Sequence, residues 1–282
     1  MSAPAVSNAT CSTCGATRTP GTRFCIRCGK SFVAVPPAGK GKLEGLGQRF
    51  RLRGDGNDLL YVLAAAALAV LLSYLPFIGA VAYPFKLFGT FVHEWCHAVV
   101  AIATGGDVTK LQIHQDLSGE TYTRGGWMLL IASAGYVGAA LSGALLLLAP
   151  TRFAKRTLMA VGAGSLLMPL IGGISFGTDF PADTWIWTLL FGVGTLAVGI
   201  WAAPRLARVF QQFVAVELCF TAINSLKDLI TITLSTPMRS SDALNAQNAS
   251  GLPGTFWAAL WTALAVVSIG YALLRVVRRT LA

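Results

Sequence analysis

The sequence FVHEWCH at residues 91–97 places two histidines and a glutamate within an apolar stretch, residues 87–104. On an α-helix His93 and His97 are four positions apart, so both imidazoles lie on one face and can bind one metal ion. Glu94 follows the first histidine and can reach a water molecule on that ion. Because charged residues are scarce in apolar segments, this pattern predicts a catalytic zinc site with Glu94 as the general base.

The composition of the chain predicts a membrane protein. Of its 282 residues, 54% are hydrophobic and only 12% are charged, and the mean hydropathy is +0.62. These values are too apolar for a soluble domain of this size, and the long apolar runs favour helices over an outer-membrane barrel. The first long apolar run begins near residue 59, behind a polar region, so we predict no secretory signal peptide.

The apolar segments predict an all-α polytopic membrane protein with six or seven such segments. All but residues 87–104 are clearly long enough to cross a hydrocarbon core of about 30 Å. The segments are residues 59–82, 87–104, 127–149, 157–177, 184–203, 211–235 and 255–274.

The charges of the loops between the apolar segments help to predict how many segments cross the membrane. Residues 152–156, 205–208 and 275–279 are basic, whereas 179–183 is acidic and 236–254 is nearly neutral. Basic loops usually remain on the cytoplasmic side. From a cytoplasmic N-terminus, six full crossings place the basic loops inside and seven place them outside. We therefore expect one early segment, 87–104, not to cross fully.

The region before the first apolar segment is basic, which predicts an integral membrane protein with a cytoplasmic N-terminus. The same charges can contact anionic lipid headgroups of the bilayer. Nucleic acid is a less favoured partner, because the rest of the chain has no basic face. The basic residues are Arg18, Arg23, Arg27, Lys30, Lys40, Lys42, Arg49, Arg51 and Arg53.

Two C-x-x-C-G repeats lie near the N-terminus, and they predict a zinc ribbon over residues 1–32. Four thiolates in two such pairs can complete a closed tetrahedral site, which favours a structural zinc ion over disulfides in a cytoplasmic segment. Because this site has no open coordination position, we expect the ribbon to bind a protein partner or to regulate. The ligands are Cys11, Cys14, Cys25 and Cys28.

Two further regions complete the predicted organisation. Residues 33–57 contain Pro36 and Pro37 with several glycines and lysines, and they predict a flexible basic linker before a membrane domain at 58–282. Residues 105–124 contain a two-residue alternation and a turn signal, and they predict a short β-hairpin directly after the helix that carries the two histidines.

A catalytic zinc needs a third protein ligand, and two aspartates are candidates. Asp228 ends a polar stripe on an apolar helix, although an ion pair with Lys227 is an alternative role. Asp242 follows a hydrophilic break, where Ser241 or Asp242 itself resembles a helix cap. We rank Asp228 first and Asp242 second. The stripe consists of Glu217, Thr221, Asn224 and Asp228.

Over roughly residues 85–275 the chain resembles the site-2 protease type of intramembrane zinc metallopeptidase, and more closely a bacterial branch of small proteins. The resemblance implies a location in the bacterial inner membrane. The resemblance implies that His93 and His97 bind zinc, that Glu94 is the catalytic base, and that the third ligand is an aspartate on a later helix, either Asp228 or Asp242. It rests on HEWCHAVVAIATGG (93–106), SGETYTRGG (118–126), ASAGYVGAALSGALLLL (132–148), LKDL (226–229) and SDALNAQNASGLPGTFWAALW (241–261).

The leading hypothesis is a zinc endopeptidase that cleaves a transmembrane or membrane-adjacent peptide by attack of zinc-activated water. An extended substrate can add as a strand to the hairpin, and the candidate substrate-binding residues are Leu111, Ile113 and Asn224. The alternative is a catalytically inactive membrane adaptor that uses the ribbon to bind partners. A metal transporter is the third hypothesis and ranks last, because a transporter needs several polar stripes to line an ion path and the sequence contains few.

Overall fold

The structure is a computed structural model that divides into two compact units, Met1–Leu52 and Arg53–Ala282. Apart from residue 57, the predicted linker 33–57 lies outside the residues that the structure describes. Described residues are 10–11, 13–17, 24–29, 57–74, 79–175, 178–235 and 241–281.

The second unit is mostly helical, which confirms the predicted fold class. A 3₁₀ turn at Thr151–Phe153 precedes the fourth helix. Its helices are α1 (Asp58–Tyr74), α2 (Gly79–Ala103), α3 (Met128–Leu148), α4 (Ala154–Ser175), α5 (Ala182–Trp201), α6 (Pro204–Ser235), α7 (Asp242–Ser250) and α8 (Gly254–Leu281). Its strands are β1 (Asp107–Ile113), β2 (Gly119–Arg124) and β3 (Thr178–Asp179).

Five helices in the described part of the chain are long and apolar enough to cross a membrane, namely α3, α4, α5, α6 and α8. Helix α1 is apolar but shorter. Large apolar side chains such as Leu190 on α5 and Val267 on α8 are exposed on the outside of the bundle. These features fit an integral membrane protein whose outer surface contacts lipid.

Hydrogen bonds define the two ends of the bundle. At one end, Thr151 donates to Asp58 Oδ1 at 2.6 Å, and Arg279 Nη1 donates to the Leu148 carbonyl at 2.8 Å. Helix α1 therefore begins at the end where α3 and α8 finish. At the other end, the Trp127 N–H donates to Thr104 Oγ1 at 3.0 Å, which joins the end of α2 to the start of α3. Helices α1 and α2 together thus carry the chain once from one end to the other.

The predicted hairpin is present and folds back along α2. Strand β1 pairs antiparallel with β2 and, over two residues, parallel with β3, giving the order β2-β1-β3. Near the hairpin tip, Thr90 Oγ1 donates to the Leu117 carbonyl at 2.9 Å and Tyr83 Oη donates to the Gln115 carbonyl at 3.1 Å. These contacts give carbonyls near the hairpin tip hydrogen-bond partners within the protein and hold the tip against α2.

Candidate functional site

The two histidines of α2 converge with one aspartate of α7. His93 Nε2 lies 3.6 Å and His97 Nε2 lies 3.4 Å from Asp242 Oδ2. One ligand atom from each of the three residues lies within 4.8 Å of the others, so the group can hold a metal ion. Two imidazole nitrogens and one carboxylate oxygen form a donor set typical of catalytic zinc sites.

Hydrogen bonding at the far side of the His97 ring supports a metal between these donors. His97 Nδ1 lies 2.6 Å from the Ile131 carbonyl oxygen. Because a carbonyl only accepts, Nδ1 must carry the proton, and in the neutral ring Nε2 then presents its lone pair toward Asp242. Between this nitrogen and the carboxylate oxygen either a proton or a metal ion can lie, and the second histidine beside them makes the arrangement compatible with a bound metal.

Helix α3 leaves room for that cation by means of Gly135. A Cβ atom built at Gly135 would lie 2.3 Å from Nε2 of both His93 and His97. Beside this space the His93 ring packs edge-on against Tyr136 at 4.5 Å, and Tyr136 stacks on Trp261 at 5.4 Å. His93 therefore packs against two successive aromatic rings, and the absence of a side chain at position 135 leaves space beside both imidazoles.

Glu94 lies beside the histidines beneath the hairpin. Its side chain is buried, with 4% of the residue exposed, and Thr121 Oγ1 donates to its Oε2 at 2.6 Å. A Cβ atom at Gly119 would lie 2.6 Å from Glu94 Oε1, so strand β2 passes directly over the carboxylate. A carboxylate shielded from bulk water beside a metal-binding group has the position that a general base needs.

Asp242 reaches the histidines because another residue caps its helix. The Ser241 side chain is the N-cap of α7 and accepts the Leu244 N–H at 3.3 Å, which leaves the carboxylate of Asp242 free to turn inward. At the other end of α7, Gln247 Oε1 accepts the Gly254 N–H at 2.8 Å. This bond ties α7 to the first residue of α8 and fixes where Asp242 lies.

Comparison with protein families identifies the chain. The family described as Peptidase M50B-like matches residues 61–272, more than half of the chain. The chain belongs to the Peptidase M50B-like family. This confirms the resemblance to the site-2 protease family, and at family level it indicates an intramembrane metallopeptidase. No curated protein and no solved structure matches the chain.

The third member of the metal-binding group in this M50B-like chain differs from the one that the sequence ranked first. Asp228 and Asn224 are exposed on α6, and the group near the histidines contains Asp242 instead. The polar stripe begins where α6 is buried on all sides, and Glu217 is only 2% exposed. Further along, the helix is buried only on the side of Ala222, Leu226 and Leu229, and Asn224 and Asp228 lie on its exposed side. Helical periodicity shows which residues share a face, but not which face the neighbouring helices cover.

Two of the three candidate substrate-binding residues do not offer their side chains to a substrate. Leu111 and Ile113 are 0% exposed and pack with Leu87 and Phe91 between the hairpin and α2. The two-residue alternation of β1 is present, but its apolar face turns toward the helix because burial there removes apolar surface from water or lipid headgroups. Asn224, by contrast, is exposed and accessible.

Sequence reasoning did not assign site roles to the residues that surround the metal-binding group of this M50B-like chain. Gly119, Thr121 and Gly135 belong to no motif that predicts a site role from spacing alone. The signal available in the sequence was their place in the two stretches, residues 118–126 and 132–148, that carry the family resemblance. Their distances to His93, His97 and Glu94 became apparent only in the folded chain.

The N-terminal cysteines form a second group that can hold a metal. Cys11 and Cys28 Sγ atoms are 3.6 Å apart, as are those of Cys14 and Cys25, and all four thiols are free. The backbone N–H groups of Thr13 and Cys14 lower the pKa of Cys11 to about 6, whereas burial and the neighbouring thiols raise the pKa of Cys14 to about 12. The close approach of all four thiols therefore supports the predicted zinc ribbon, and the pKa of a single thiol does not.

Proposed function

We propose that this chain is a zinc-dependent intramembrane endopeptidase that cleaves a transmembrane or membrane-adjacent peptide. The observation that carries the proposal is the convergence of His93, His97 and Asp242 beside the buried carboxylate of Glu94. We assign one catalytic zinc to the first three residues and one structural zinc to the four ribbon cysteines. Membership of the family supports this reaction class.

Each part of the site has a separate role in the proposed hydrolysis of the peptide bond. When bound, zinc supplies a Lewis acid that polarises the scissile carbonyl and makes its water more acidic. Glu94 accepts a proton from the attacking water and returns it to the leaving amine. His97, fixed by the Ile131 carbonyl, keeps the orientation of its ring throughout. The cover of β2 over Glu94 limits the access of bulk water to this carboxylate.

The substrate must be unwound before it reaches Glu94, because a helical segment has its carbonyls in hydrogen bonds. We propose that the extended segment adds to the outer edge of β2, since β1 already pairs on both of its sides near Leu111. Asn224, exposed on α6, is a candidate contact for the polar backbone of that segment.

Glu94→Gln tests the reaction. We expect this variant to bind zinc like the wild type and to cleave a fluorogenic peptide library with a kcat about 10²–10⁴-fold lower, because the amide cannot accept the proton. The measurement is single-turnover and steady-state cleavage by purified protein in detergent. Glu120→Gln, an exposed glutamate of the same hairpin, is the matched control and should retain kcat. Cleavage by Glu94→Gln at the wild-type rate would exclude Glu94 as the base.

The alternative function is an inactive membrane adaptor in which the ribbon binds a protein partner. The division of the chain into a four-cysteine unit and a separate helical unit favours this alternative. The number of zinc ions per chain distinguishes the two functions, because an adaptor needs only the ion of the ribbon.

We propose a bacterial inner-membrane location in which the end of the bundle that holds Asp58, Thr151 and Arg279 faces the cytoplasm. Basic residues gather at this end, and basic loops usually stay inside. They are Arg152, Lys155, Arg156, Arg205, Arg208, Arg275, Arg278 and Arg279.

Fusions at the C-terminus test this orientation. Because α8 ends at the basic end of the bundle, we expect a fluorescent protein that matures only in the cytoplasm to be bright when fused after residue 282. An alkaline phosphatase fused at the same position should be inactive. An active phosphatase with a dark fluorescent fusion would place the basic end outside.

A further inference from the structure

We propose that Thr121 is the positioning residue for Glu94, and that Gly119 provides the space in which it acts. The strand that receives the substrate would then also hold the general base in place. This inference rests on the proposed peptidase function and adds a residue that the histidine–glutamate motif does not contain.

The hydrogen bond between the two residues is short and shielded. Thr121 Oγ1 lies 2.6 Å from Glu94 Oε2 and 3.1 Å from the backbone carbonyl of Glu94. A hydroxyl has one proton to donate, and the carboxylate is the nearer and more strongly charged acceptor. Because Glu94 is 4% exposed, little water competes for that oxygen, so the Thr121 hydroxyl fixes the carboxylate.

Gly119 confines the other oxygen of the same carboxylate. It precedes Thr121 by two positions, so the two residues share one face of β2. A Cβ atom at Gly119 would lie 2.6 Å from Glu94 Oε1 and 2.7 Å from Cγ, closer than atoms of these types approach without a shift. The carboxylate therefore lies against the backbone of β2, with one oxygen beside Thr121 and the other beside Gly119.

The fold holds β2 in the register that this contact needs. Gly119 pairs with Ile113 and Thr121 pairs with Leu111 across the hairpin. Both partners are wholly buried against α2. A shift of β2 by one residue would place the opposite face of the strand over Glu94, so the buried residues of β1 keep Thr121 opposite the carboxylate.

This arrangement links substrate binding to the base. A peptide that adds to the outer edge of β2 beside Gly119 and Thr121 takes its register from the backbone of these two residues, which also orient Glu94. The distance between the scissile bond and the base would then depend on one strand instead of on two independent elements. Thr121 does not touch the reacting atoms in this scheme, and it acts only through Glu94.

The kinetic test compares Thr121→Val, which lacks the hydroxyl at nearly constant shape, with Thr121→Ser, which keeps it. We expect Thr121→Val to lower kcat about 10–100-fold, as other losses of outer hydrogen-bond partners do, with KM and zinc content unchanged. Thr121→Ser should restore most of kcat. Thr123→Val is the matched control, because Thr123 lies on the same face of β2 and pairs with Val108, and it should behave like the wild type.

A spectroscopic readout does not depend on turnover. The chain has four glutamates, Glu44, Glu94, Glu120 and Glu217, so ¹³C-carboxyl glutamate gives a simple infrared spectrum in which Glu94→Gln identifies the Glu94 band. We expect Thr121→Val to shift this band, whereas Thr121→Ser and Thr123→Val leave it in place. If Thr121→Val does not fold, Thr121→Ala replaces it with the same expectations.

The outcomes separate this inference from the function on which it rests. An unshifted Glu94 band in the variant without the hydroxyl overturns the positioning role, whether or not the protein cleaves peptides. A Glu94 band that shifts in Thr121→Val, together with a wild-type protein that shows no zinc-dependent cleavage, supports the contact but overturns the peptidase function. Wild-type kcat in Thr121→Val, with Glu94→Gln inactive, overturns positioning alone.

Discussion

Asp242→Ala is expected to remove one of two zinc ions and all detectable peptide cleavage, whereas Asp228→Ala should keep both ions. Asp242 Oδ2 lies 3.6 Å and 3.4 Å from the Nε2 atoms of His93 and His97. Without this carboxylate the site keeps only two neutral imidazoles, and catalytic zinc is usually held by three protein ligands. Asp228 is exposed on α6 and lies outside the metal-binding group.

The measurement is metal content per chain by mass spectrometry, together with cleavage, for protein purified without added chelator. The four ribbon cysteines serve as an internal reference, since their ion should be present in both variants. If Asp228→Ala loses an ion and Asp242→Ala keeps both, then Asp228 is the third zinc ligand, as the polar stripe in the sequence suggests. A single ion in the wild type that neither aspartate affects would instead favour the adaptor.

Gly135→Ala is expected to abolish binding of the catalytic zinc through one added methyl group. The new Cβ would lie 2.3 Å from Nε2 of both His93 and His97, the atoms that would hold the metal. Alanine favours a helix over glycine by about 1 kcal/mol. This preference should keep helix α3 intact in the variant, so the clash must be relieved by the side chains around the new methyl group. Overpacking a tight site costs about 1–3 kcal/mol, and we expect the two imidazoles to avoid this cost by turning away from the metal position.

Two other glycines provide controls for this variant. Gly138→Ala would place its Cβ 2.4 Å from Cys96 Sγ, so it tests tight packing of α2 on α3 without touching the imidazoles. It should lower the thermal midpoint but keep two zinc ions. Gly164→Ala on α4 meets nothing within 4 Å, so it should keep two zinc ions without lowering the thermal midpoint. Full zinc and wild-type cleavage in Gly135→Ala would refute the proposed location of the metal.

The sequence determined those features that depend on local patterns. The length of the apolar runs predicted membrane helices, and the paired cysteines predicted a four-thiol cluster, which the structure contains. The two-residue alternation after the histidines predicted the hairpin formed by β1 and β2. Each of these signals lies within a few turns of chain, where residue spacing and geometry are directly related.

The tertiary structure alone decided which distant groups meet. Asp242 is 145 residues beyond His97 in the sequence, and only the packing of α7 beside α3 and the end of α6 brings it to the histidines. The inward face of β1, the closeness of Gly135 to the imidazoles and the bond from Thr121 to Glu94 likewise arise from the approach of separate elements. Helical and strand periods specify the face on which a side chain lies, but the element opposite that face depends on the packing of the whole bundle.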